Sequence, residues 1–129
     1  MGEISDRVYH DRAFQLANAM ELCHDDMTAY CSAVALLAVH SAISYNDAVL
    51  IKLTGQRSRS QDHRRAVMEI KKACKKRNIR ADGIRHLDKL VGAKTDVAYG
   101  DEEVDNQKIE FLYVAAARFQ TWAERLLKN

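Results

Sequence analysis

Residues 30–53 read YCSAVALLAVHSAISYNDAVLIKL. The stretch holds neither proline nor glycine. Wound at 3.6 residues per turn, it places Tyr30, Val34, Leu37, Ser41, Tyr45, Ala48 and Lys52 on one stripe and Ala33, Leu36, His40, Ile43 and Asp47 on a second. A helix that is apolar on several sides belongs in a core. Its longest weakly polar run, Ala33 to Ile43, is about half the roughly 20 residues a bilayer requires. His40 and Ser41 interrupt that run. The expectation is a buried central helix and no membrane partner. His40, Ser44 and Asp47 succeed one another at spacings of four and three, so they project from one side and are expected to form a buried polar network.

The segment after this helix is its opposite. Residues 54–65 read TGQRSRSQDHRR, and the basic character continues into the next helix. Residues 52–80 carry eleven Lys and Arg against Asp62 and Glu69, a local balance of +9 in a chain whose formal net charge is +2. Such segregation points to a polyanion-binding face or to a complementary partner surface. Arg57, Arg59, Arg64 and Arg65 surround the entry to a helix N-terminus, an arrangement suited to phosphate. No aromatic residue interleaves them, so stacking on single-stranded bases is not indicated.

The whole chain, 129 residues, fits one helical domain. Average usage would give roughly six prolines, and there are none. A first helix is expected over 5–23 with Ser5 as N-cap, the central helix ending at Gly55, and a third over 61–77 behind a Ser58–Gln61 capping box. A fourth is expected from just after an Asp82 cap to Tyr99 and a fifth over 104–127, the latter after an acidic turn at 101–103. Gly92, in mid-helix, suggests a close approach to a neighbour. Lys94 falls inside the apolar stripe of the fourth helix, an unusual place for a charge. Short connections favour antiparallel neighbours, hence an all-α, up-down four-helix bundle with one additional helix. The fifth helix shows two apolar stripes, one of which suits a second copy, so a homodimer is expected.

Cys23, Cys31 and Cys74 are odd in number and lack metal-site spacing, which fits reduced thiols; no metal and no cofactor is expected. The charged start MGEISDRVYHDR has no apolar signal core, and the expected location is cytoplasmic.

Three strings, LAVHSAISYNDAVL, DHRRAV and KTDVAYG, and the long last helix ending FQTWAERLL, resemble the HEPN superfamily over most of the chain. The resemblance implies a helical bundle. Many members are metal-independent ribonucleases that use an Arg and a His, with four to six residues between them before the last helix, at a dimer cleft. Others bind RNA or nucleotides, or serve in toxin–antitoxin pairs and as partners of nucleotidyltransferases. At the position the resemblance implies for that motif stand Lys94 and Tyr99. Lys keeps the charge without the bidentate fork, and Tyr is a weak base at neutral pH. Arg57 to His63 and Arg80 to His86 repeat the spacing elsewhere, which makes His63 and His86 further catalytic candidates. The expected function is therefore a mainly non-catalytic module for RNA or nucleotide phosphate. The alternatives are a subunit that docks an acidic protein partner and a metal-independent ribonuclease.

Overall fold

The computed structural model describes residues 5–57, 63–99 and 104–128, with the side chains of 95, 96, 98 and 99 excepted. These residues are all-helical: α1 (Asp6–His24), α2 (Met27–Thr54), α3 (His63–Lys76), α4 (Ile84–Tyr99) and α5 (Asn106–Lys128). Ser5 caps α1 by accepting the Arg7 N–H at 3.2 Å. Gly55 closes α2 with φ of 81°, a left-handed conformation that costs a residue without Cβ little, and its N–H donates to the Ile51 carbonyl. Asp105 starts α5 by accepting the Lys108 N–H at 2.8 Å. The Ser58–Gln61 box and the 101–103 turn lie outside the described residues.

Among the described residues, α2 touches each of the other four helices. Val34, Ala38, Ala42, Tyr45, Ala48 and Val49 are all essentially solvent-free. Small side chains dominate that set, so the neighbours sit close. The helix is long and apolar enough to cross a membrane by length and composition, with an 18-residue window of mean hydropathy 1.5, yet 72% of that window is buried inside the fold. Its first turn is set off by a kink at Tyr30, whose φ and ψ of −126° and 25° are non-helical.

α5 packs on α2, α4 and α1. Ile109, Leu112, Phe119 and Ala123 form its buried stripe. Phe119 stacks on Trp122 with ring centroids 5.6 Å apart. The Trp122 indole N–H donates to the Arg80 carbonyl at 2.9 Å, which satisfies its one polar group.

The close approach expected at Gly92 is found elsewhere. Gly92 is exposed, and a Cβ added there would meet nothing within 4 Å. At Gly83, a Cβ would collide with the Trp122 side chain. The tight contact is thus the turn before α4 against α5. Periodicity marks where glycine interrupts a helix, but not which glycine a neighbour presses on.

Candidate functional site

The basic segment becomes a face between the C-terminal end of α2 and α3. α3 buries Ala66, Val67, Ile70, Ala73 and Cys74, which recur every three or four residues. That spacing turns Arg64, Arg65, Lys71, Lys72, Lys75 and Lys76 outward, and all six are exposed. Among the described residues, Arg65, Lys71, Lys72, Lys75 and Lys76 form no ion pair. Two other cations are spent internally. Arg77 donates to the Leu53 carbonyl at 3.0 Å and Lys52 to the Leu127 carbonyl at 2.8 Å, each serving a helix C-terminus.

An open groove of about 320 Å³ runs along this face. Arg57, Lys72 and Lys76 supply its positive charge and Glu69 one negative charge, Thr54 and Gln56 form its polar wall, and Leu50 with Ala73 its floor. The Thr54 hydroxyl donates to the Leu50 carbonyl at 2.7 Å, and the same oxygen accepts the Gln56 N–H at 3.2 Å, which shapes the end of the groove. The Arg57 guanidinium donates to the Tyr9 hydroxyl at 3.1 Å and lies 5.9 Å from the Tyr9 ring centre. Arg12 sits 5.2 Å from the same ring. One exposed edge of α1 therefore holds two guanidiniums near the groove.

Asp47 lies half-buried, and burial is the main force raising its carboxyl to about 6. Arg57 and Arg12 pull it back, while Glu69 pushes it further up. The buried network expected from His40, Ser44 and Asp47 does not form. Ser44 is buried, but His40 is exposed, and among the described residues no hydrogen bond joins the three. The stripe Ala33, Leu36, His40, Ile43 and Asp47 is the least covered side of α2, and its members are half-buried or exposed.

His63 and Lys94, separate candidates in the sequence, meet in space. The Lys94 ammonium donates to His63 Nε2 at 2.8 Å across α3 and α4. This contact accounts for a lysine within the apolar stripe: its head finds an acceptor while its stem packs. His86 is buried on α4, and its imidazole is held below the ordinary histidine range by burial first, then by Arg85, Lys89 and Arg118. It is poorly placed to reach a substrate. Arg59 and the Tyr99 side chain lie outside the described residues.

A second polar group escaped the sequence reading. His10 on α1 lies 2.8 and 2.9 Å from the two carboxylate oxygens of Glu124 on α5. Tyr45 on α2 donates to Glu124 at 2.7 Å, and Gln120 donates to the Tyr45 hydroxyl at 3.1 Å. Burial, followed by the bond to Glu124 and its charge, holds the Tyr45 phenol well above its usual range. At the far end of the same seam, His24 contacts Glu110 at 2.7 Å and stacks on Tyr113 at 3.6 Å. The histidines are fourteen residues apart and so are the glutamates. That matched interval was the available signal, although nothing in it specified which helices would pair.

Compared with protein-family models and with curated proteins, the chain matches none.

Proposed function

We propose that the chain is a mainly non-catalytic helical module that binds RNA or nucleotide phosphate through the α2–α3 face. The architecture we infer is an up-down four-helix bundle with one additional helix, HEPN-like in kind. Support for that arrangement comes from the central position of α2 and from the pairing of His10 with Glu124 and His24 with Glu110, which runs α1 and α5 antiparallel. The observation that carries the ligand reading is the set of exposed cations on α3 that form no ion pair with the rest of the described chain. Phosphate is the anion such a set attracts most simply, because each contact releases condensed counter-ions.

The test is fluorescence anisotropy with a labelled RNA hairpin across a salt series. Affinity is expected to fall steeply with salt. A double change of Lys72→Ala and Lys76→Ala is expected to weaken binding about ten-fold and to reduce the salt slope by about one per lost phosphate contact. No binding at low salt would remove the proposal.

A docking role with an acidic protein is the second reading. Met68 favours it, since it is 61% exposed between Arg64–Arg65 and Lys71–Lys72. An apolar anchor ringed by charge suits a protein interface. Co-purification with an acidic protein, lost on Met68→Asp, tests it. A ribonuclease reading is left with His63, which shares its Nε2 with Lys94; RNA cleavage in EDTA that His63→Ala abolishes would support it. A homodimer through α5 fits the 43% exposure of Phe111.

A further inference from the structure

The α1–α5 seam opens beside Glu124 into a second groove, of about 640 Å³, well apart in sequence from the basic face. Its floor is the His10–Glu124 pair, held from below by Tyr45, which is 1% exposed. Gln120 secures the Tyr45 hydroxyl in turn, so three helices fix the floor. Phe14, half-exposed, forms an aromatic wall. The antiparallel pairing of residues 10 and 124 sets Phe14 level with Gln120 at one end and carries Lys128 to the other. Asp11 lines the α1 side; Arg125 lines the α5 side.

The charges of this groove come in two kinds. Glu124 is already engaged by His10 and Tyr45. Asp11, Arg125 and Lys128 form no ion pair among the described residues. With Glu124 counted, the lining holds two acids and two fixed cations, a formal balance of zero with the imidazole neutral. A simple anion would meet the two carboxylates, and a simple cation would meet the two basic groups. A ligand carrying both charges meets neither repulsion, and its apolar part has Phe14 to lie on.

The geometry points to a binding site for a small zwitterion with an apolar side chain, of the α-amino-acid class, in the α1–α5 groove. Arg125 and Lys128 take the carboxylate, Asp11 and the outer edge of Glu124 take the ammonium, and Phe14 takes the side chain. The His10–Tyr45–Gln120 set does not touch the charged ends of the ligand; it positions Glu124. This groove and the α2–α3 phosphate face stand or fall separately.

Isothermal titration and amide chemical-shift mapping with L-phenylalanine test it on the full chain. A ligand of this size supports a Kd of about 1 mM. Saturable binding with shifts confined to α1 and α5 is expected. 2-Phenylethylamine lacks the carboxylate and 3-phenylpropionate lacks the ammonium; each is expected to bind at least about ten-fold more weakly. The exposed substitutions Phe14→Ala and Arg125→Ala leave the core untouched and are each expected to weaken L-phenylalanine about ten-fold while RNA binding stays unchanged. An absence of saturation at about 10 mM, well above that Kd, overturns the assignment. Either comparator binding as well as the amino acid, or shifts that map to α3, overturns it equally.

Discussion

The two faces of this molecule treat charge in opposite ways. Along the α1–α5 seam, Glu110 and Glu124 each hold a histidine, and the buried Tyr45 phenol is committed to Glu124. Along α3, Arg65 and four lysines stand in solvent and form no ion pair among the described residues. Polar groups that are partly buried must be paired, because an unmade hydrogen bond there costs about 1–3 kcal/mol. Charges fully in water carry no such demand. The Glu124 group, inside the seam, is therefore where polar residues stabilise the fold, whereas the exposed cations of α3 remain for an outside partner.

The hardest way to break this contrast is to loosen α5 itself. Gly83→Ala is expected to destabilise the chain by about 3 kcal/mol, since the added methyl meets the Trp122 side chain, which is packed on Phe119. Urea denaturation tracked by circular dichroism checks it, and an unchanged midpoint would contradict the packing described. Next comes Glu124→Ala, expected to cost about 2 kcal/mol in the same assay, because Tyr45 and His10 lose their shared acceptor.

Asp47 sharpens the comparison from the other side, as a carboxyl whose burial opposes folding. Its folded value is about 6 against an ordinary 3.8, so the folded chain binds the extra proton between those values. Stability contributed here falls as pH rises through that window and is lowest above about 6. Asp47→Asn is expected to stabilise by about 1 kcal/mol at pH 7.5, a figure discounted for its partial exposure, and to give no gain near pH 4. Denaturation midpoints at the two pH values measure this. The smallest effect belongs to the α3 face: Lys71→Ala with Lys75→Ala is expected to move stability by less than about 0.5 kcal/mol while weakening RNA binding. A large loss of stability there would mean that these lysines serve the fold.

Much of the architecture was legible in the chain itself. The Ser5 and Gly55 caps, the apolar length of α2 and the amphipathic stripe of α3 each arise from local chemistry, and each lies where expected. Local pattern fails where the answer depends on a distant neighbour. His40 shares a stripe with apolar residues, but among the described residues no helix covers it there, and it is exposed. Gly92 and Gly83 look alike in sequence, and only the position of Trp122 separates them. The basic face was readable because charge density survives any packing. The Glu124 group was not, because residues 10, 45, 120 and 124 are gathered by the tertiary fold alone.

Trp122 is the one tryptophan in the chain. Its indole is packed against Phe119, its N–H is held by the Arg80 carbonyl, and Gly83 presses on its flank. The protein thus carries its own optical gauge: ultraviolet emission on excitation near the red edge comes from a single ring wedged at the α3–α4 turn. A ligand that shifts this turn changes the colour of that light, while one that only settles on the outer rows of α3 leaves it alone.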